Sequence, residues 1–349
     1  RPLVQLLMQR MLSSGVRTSN GDEADYFFIP FLMRKRAHTA NHLGPTIYHI
    51  RKHWPWWDRH AGHRHLLVAP GDQGRRVLTP ELLAMTANCT YLTHWGLHSD
   101  HPVGGWEASH RPGKDIVVPP LTNPDDPIVY SPLHPRIGKK RKRRVAGLFF
   151  AGRICGDSQK PVDGRCSSTR LDYSANTRQR MSEHHWNRPN WTITTHTTAY
   201  AEGLATHRFC LSPTGGGYGR RSVQALLMGC IPVTITDGLH QPFEPELRWG
   251  RFSVQLAERD IPYAHHILGA LNGQDVKGIQ GALRCAAQHM YFSSTFGEVT
   301  GDDGRYDAFE TLMEVLRMRR DHPGLAPERY AREDARFADF ANCRLGAHW

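Results

Sequence analysis

The stretch FCLSPTGGGYGRRSVQALLMGCIPVTITDGLHQPF, residues Phe209 to Phe243, decides the fold. A short apolar strand runs into a glycine-rich loop. A pair of arginines opens a helix, and a Gly-Cys-Ile-Pro-Val turn leads into a second buried strand. Glycines let a backbone approach a ligand closely, a helix start offers free N–H groups, and arginines supply charge. This is the layout of a diphosphate cradle, and it points to an anionic nucleotide without naming a reaction.

Working outward, 349 residues suit two packed domains. Hydrophobic residues at 39% supply cores, while 32 glycines and 23 prolines mark a loop-rich fold. Nine tryptophans, several in polar surroundings such as His53-Trp54-Pro55-Trp56-Trp57, fit core packing or a sugar-binding cleft. The net charge is +11 and is spread along the chain, except for one run at Lys139–Arg144 that reads as a solvated face. No nucleic-acid-reading motif accompanies it, so no nucleic-acid partner is expected. A basic balance equally suits an anionic donor or an acidic glycan.

Seven cysteines are an odd number. Cys155 and Cys166 flank a polar loop and are candidates for a disulfide. The sequons Asn88-Cys89-Thr90 and Asn190-Trp191-Thr192 point with them to a secretory compartment. No apolar run reaches 18 residues, so no membrane span is expected within these residues. The chain starts at Arg1, inside a predicted helix over Pro2–Ser14, and any signal or anchor is expected beyond that start.

Strands are predicted at Asp25–Pro30, His65–Pro70, Thr90–Thr93, Asp115–Val118 and Gly147–Phe150, and helices at Ile47–Trp57 and Ala308–Arg319. Alternation of the two favours α/β with mostly parallel sheets. Pro119–Pro135 and the basic run read as a boundary. The tail from Asp321 reads as polar and loosely packed. Ligands of open α/β sheets sit at the carboxyl ends of strands, which makes Arg153 a candidate contact after Gly147–Gly152.

Several motifs in order carry a likeness. They are Ala24–Phe31, Trp57-Asp58-Arg59-His60-Ala61-Gly62 with His65, Gly71-Asp72-Gln73-Gly74, and Gly113–Pro119. Leu148–Arg153, Phe209–Pro213, Gly229–Val233, Pro242-Phe243, Trp249, Phe252-Ser253-Val254 and Asp260-Ile261-Pro262 follow. Together the chain resembles the exostosin-like glycosyltransferases, family 47, in the form of plants and green algae. The resemblance implies a GT-B-like α/β fold with two Rossmann-like domains facing a cleft. The expected division is 1–143 for an acceptor-side domain, 144–290 for the nucleotide-sugar domain, and 291–349 for C-terminal helices and tail.

The implied function is transfer of a sugar from a UDP-sugar to a glycan, polysaccharide or glycoprotein. The alternative is a catalytically impaired nucleotide- or glycan-binding relative. The resemblance places the diphosphate-binding arginine on Arg221, with Arg220 beside it and Gly216 and Ser222 in the same turn. Gln224 stands where the family has a glutamate for the ribose. Asp237 keeps the family's place, and Glu244 is a second candidate carboxylate. Arg64 replaces an aspartate of the family pattern. Asp72 and His65 are the candidates for a general base. No metal and no cofactor besides the UDP-sugar co-substrate is expected. The implied location is the Golgi lumen, with membrane contact only through an N-terminal anchor outside this segment, and a homo- or hetero-oligomer is among the expected assemblies.

Overall fold

The computed structural model describes residues 2–33, 36–103, 105–122, 131–135, 144–167, 173–235, 237–293 and 301–345. Two all-parallel sheets organise them. The first has the order β1-β2-β3-β4, with β1 Phe27–Phe28, β2 His65–Ala69, β3 Thr90–Thr93 and β4 Ile116–Val117. The second has the order β6-β5-β7-β8-β9, with β5 Val145–Ala151, β6 Thr192–Thr194, β7 His207–Pro213, β8 Ile231–Ile235 and β9 Val254–Leu256. The result is the GT-B-like arrangement of two parallel sheets facing a cleft.

Continuous apolar runs make these strands because both faces of a parallel sheet are covered. In β2, Leu66 and Val68 join the large core that spans both sheets, while Leu67 and Ala69 enter a second core on the other face. Helix α1, Pro2–Ser13, lays Leu3, Leu6 and Leu7 on the first core. Helix α2 runs Arg36–His53, earlier than the sequence suggests. It tolerates Pro45 because Leu43 and Ile47, one turn apart, are fully buried in the second core. It stops before Pro55, so Trp56 and Trp57 fall in a separate turn of helix.

The C-terminal part departs from the expected loose tail. Helix α3, Gly273–His289, starts on an Asn272–Asp275 capping box. Helix α4, Ala308–Asp321, starts on Asp307, whose carboxylate accepts from the Phe309 and Glu310 amides. It returns to the first sheet's domain. Arg319 donates to the Lys114 carbonyl at 2.6 Å and the Asp115 carbonyl at 3.1 Å, and pairs with the Glu246 carboxylate at 3.2 Å. Beyond it Tyr330, Phe337 and Phe340 are buried, and a Cys285–Cys343 disulfide ties the end to α3. The apolar residues sit at helical spacing between charges, and that pattern carried the burial.

Cys155–Cys166 forms as expected, and Cys210–Cys230 adds a third disulfide. Cys89 is buried and free, and burial pushes its thiol up to about 12. Among the described residues no helix is long and apolar enough to cross a membrane. Lys139–Arg143 lies outside the described residues. Arg144 is no solvated charge, because its guanidinium donates to the carbonyls of Leu204, His207 and Met228.

Two outcomes follow for stability. Arg319→Met leaves the buried Glu246 carboxylate without its cation and is expected to cost about 3–5 kcal/mol in urea unfolding. Adding Glu246→Gln recovers much of that loss, and a double variant no more stable than the single one counts against the pairing. Burial also holds His65, His94, His185, His240 and His289 down at about 4 and His110 at about 3. Their folded values lie below the unfolded value of about 6.5, so the unfolded chain takes up more protons as pH falls. The melting temperature is expected to hold above pH ~7 and fall steeply from pH ~6.5 to ~4. A flat profile across that window would show these imidazoles titrating normally.

Candidate functional site

The carboxyl ends of both sheets converge on one cleft. The first sheet supplies His94 and Trp95 after β3 and Pro120 after β4. The second supplies Ser212–Thr214, the loop residues Gly217–Gly219, Arg221 and Ser222, and Leu239–Pro242. Among the described residues this lining holds one arginine, two histidines and no carboxylate.

The domains are sewn together around the cleft by backbone. Leu97 and Leu239 form an antiparallel bridge, flanked by His98 N–H to Gly238 O at 2.9 Å and His240 N–H to Gly96 O at 3.0 Å. Tyr218 N–H donates to Asp72 O at 3.0 Å, and Phe243 N–H to Val117 O at 2.7 Å. Gly217 is required where the loop meets Asp72, since a Cβ there would lie 2.4 Å from that carbonyl oxygen. Trp95, Leu97 and Trp106 from one side pack with Ala175, Tyr218 and Leu239 from the other, and close the floor.

Behind the glycine loop three arginines interleave with aromatic rings. Arg153 lies 4.2 Å from the Tyr173 ring centroid, Arg178 5.2 Å from Tyr173 and 5.5 Å from Phe150, and Arg221 4.5 Å from Phe150 and 5.5 Å from Tyr200. No carboxylate pairs with any of them among the described residues. Arg178 donates from Nε to Thr214 O at 2.7 Å and from Nη1 to Arg153 O at 2.9 Å and the Tyr173 hydroxyl at 2.6 Å. Arg221 donates from Nη1 to Ala151 O at 2.7 Å and to the Tyr200 hydroxyl at 3.0 Å, and its buried Nε has no partner. Burial lowers both guanidinium pKa values, that of Arg178 to about 10, and among the described residues neither has an anion to offset it. Such a site holds buried positive charge ready for an anionic ligand.

The structure distributes the expected residues unevenly. Arg221 and Ser222 line the cleft, at the start of the seven-residue helix Arg221–Leu227. Gly216 and Arg220 are exposed on the loop beside it. Gln224 faces inward, and its Oε1 accepts from the Tyr200 hydroxyl at 3.0 Å. Tyr200 thus bridges Gln224 to Arg221. Arg153 spends its guanidinium on the carbonyls of Cys155 and Gly156 and the face of Tyr173. Asp237 accepts from the Glu258 amide at 3.1 Å. Glu244 accepts from the Gln241 amide and the Gln255 side chain, both at 2.8 Å, and burial raises its carboxyl. It orders the segment whose Gln241 lines the cleft.

The two base candidates lie apart. Asp72 meets the glycine loop through its backbone, and its exposed side chain is not in the cleft lining. His65 opens β2 at the end away from the cleft, packed between Phe27 at 5.0 Å and Trp57 at 4.6 Å. Arg64 lies at that same far end, donating to Ala24 O at 3.3 Å. Sequence reading did not single out Arg178, Tyr173, Tyr200 or His94. The first three come from separate elements, and His94 carries no motif.

Residues 3–271 match the Exostosin GT47 domain. A probable glucuronosyltransferase of Oryza sativa subsp. japonica is 29% identical over 342 residues, covering 91% of this chain and 75% of the relative. A probable glucuronoxylan glucuronosyltransferase of Arabidopsis thaliana is 28% identical over 293 residues, 78% of this chain and 58% of the relative. A probable beta-1,4-xylosyltransferase of Arabidopsis thaliana is 28% identical over 294 residues, 76% of this chain and 64% of the relative. The chain thus spans between about 58% and 75% of these relatives' lengths. With two parallel sheets facing one cleft and the family domain running from residue 3 to 271, this chain belongs to the exostosin glycosyltransferases of family 47.

Proposed function

We propose that the chain transfers glucuronic acid or xylose from the UDP-sugar to a polysaccharide hydroxyl, in the oxidising lumen of the Golgi. The observation that carries the donor assignment is the arginine–aromatic stack, in which Arg178 is buried and Arg221 partly buried, with no carboxylate to neutralise it among the described residues. A diphosphate supplies the missing negative charge. The Nη2 atoms of Arg178 and Arg221 have no hydrogen-bond partner among the described residues, and both lie beside glycine backbone, at Gly215 and Gly152. As the sugar leaves, charge grows on the diphosphate, and preorganised guanidinium groups stabilise that growth. The names of the relatives supply the two sugars and a xylan-type acceptor. Three disulfides suit an oxidising compartment.

No metal ion is needed in this reading. A divalent ion on a diphosphate is held by carboxylates, and the lining offers none among the described residues. Gln224 fits the same view, because it buttresses Arg221 through Tyr200 rather than facing a ribose.

Calorimetry with UDP, and a transfer assay with UDP-glucuronic acid and UDP-xylose on β-1,4-xylo-oligosaccharides, test the proposal. UDP is expected to bind and sugar to transfer, with or without EDTA. Arg221→Ala is expected to weaken UDP by about 1.5–3 kcal/mol, roughly ten- to a hundredfold. Unchanged affinity in that variant would sink the donor assignment, and loss of binding in EDTA would sink the metal-free one. Tyr200→Phe removes the hydroxyl between Arg221 and Gln224. It is expected to weaken UDP severalfold while circular dichroism stays as in the parent. An affinity equal to the parent's would mean that Arg221 needs no such support.

A further inference from the structure

We infer that His94 is the general base that takes the proton from the acceptor hydroxyl. The inference rests on the proposed transfer reaction and extends it to the acceptor side. Inverting transfer needs a proton acceptor across the cleft from the diphosphate. Among the described lining residues there is no carboxylate, and only the imidazoles of His94 and His240 offer a basic atom.

His94 is fixed in the productive form. Its Nδ1 lies 2.9 Å from the carbonyl oxygen of Val118. A carbonyl only accepts, so Nδ1 carries the hydrogen and Nε2 carries the lone pair. That Nε2 has no hydrogen bond to a described residue, and it is not among the sealed, unpartnered polar atoms of the chain. The ring belongs to the cleft wall supplied by the first sheet, opposite the donor loop, and stands 4.9 Å from the ring of Tyr218 on that loop. The side chain is nearly enclosed, at 9% exposure, so its orientation is set by packing rather than by solvent. His240 lacks such an anchor. Its Nδ1 is buried without a partner, and its ring packs against His98 and His110.

The step balances without a further reactant. The acceptor O–H gives its proton to Nε2 as the oxygen forms a bond to the anomeric carbon. The bond from that carbon to the diphosphate oxygen breaks, and the nucleotide leaves with the electron pair. The imidazolium then returns its proton to water. Attack comes from the first sheet's side and departure toward the second, which inverts the anomeric centre.

The variant is His94→Asn, whose amide can keep the N–H to the Val118 carbonyl and has no basic nitrogen. With the same UDP-sugars, transfer to xylo-oligosaccharide and hydrolysis of the donor by water are measured beside UDP affinity. Expected is a hundredfold to ten-thousandfold loss of both rates, the usual range for a general base, with UDP affinity within about twofold of the parent. In His94→Ala, added imidazole is expected to restore part of the hydrolysis rate. A parent-like rate in His94→Asn overturns the assignment, as does a rate loss matched by an equal loss of UDP binding. If the parent enzyme binds UDP and turns over no donor, the transfer reading itself falls and the base falls with it.

Discussion

Four backbone hydrogen bonds crossing between the two sheets set the shape of everything that faces the cleft. Tyr218 to Asp72, Phe243 to Val117, His98 to Gly238 and His240 to Gly96 are main-chain contacts. They fix register, not merely proximity, because each amide has one place to donate. Gly96 and Gly217 make the approach possible: a Cβ at Gly96 would sit 2.2 Å from the His240 carbonyl oxygen. The return of the helix at Ala308–Asp321 to the first domain through Arg319 braces the same joint from behind. The two halves therefore present their side chains to each other in one fixed relation.

Within that frame, charge is segregated. The second sheet's side holds guanidinium groups on aromatic faces and backbone carbonyls, with no carboxylate paired to them among the described residues. The first sheet's side holds a neutral imidazole and tryptophans. Burial explains both. It discourages a bare cation, so the arginines are held by several weak partners at once. It also keeps histidine uncharged, so His94 retains its lone pair. The proposed departure of an anion on one wall and acceptance of a proton on the other need opposite electrostatics, and the two walls differ in that sense.

The strands were legible because both faces of a parallel sheet are covered, which leaves continuous apolar runs such as Leu66–Ala69 and Phe209–Leu211. The glycine loop that lines the cleft was legible because glycines and arginines adjoin in sequence. The Arg–aromatic stack was not, since Phe150, Tyr173, Arg178, Tyr200 and Arg221 come together only through three crossovers. Gln224 illustrates the limit in the other direction. Its position implied a ribose contact, and the fold adds a partner that the sequence does not show, the Tyr200 hydroxyl on its carbonyl oxygen. The packed C-terminal end was hidden by the charges around Phe337 and Phe340. His65 stood out in sequence through its neighbours, yet strand polarity puts it at the far end of β2.

The Cys210–Cys230 disulfide gives the glycine loop a property that neither the glycines nor the arginines confer. It joins Cys210 of β7 to Cys230, the residue just before β8 and 20 positions on, and everything between them, loop and helix included, becomes a closed covalent ring. Closing a ring of that size removes on the order of 3 kcal/mol of chain entropy from the unfolded state. Both sulfurs belong to fully buried residues, so a reductant reaches them only when the strands part. The glycine loop and its helix thus behave as a cyclic peptide inserted in a linear chain. Its shape is set once, on oxidation, and is afterwards insulated from the redox state of the surroundings for as long as the protein stays folded.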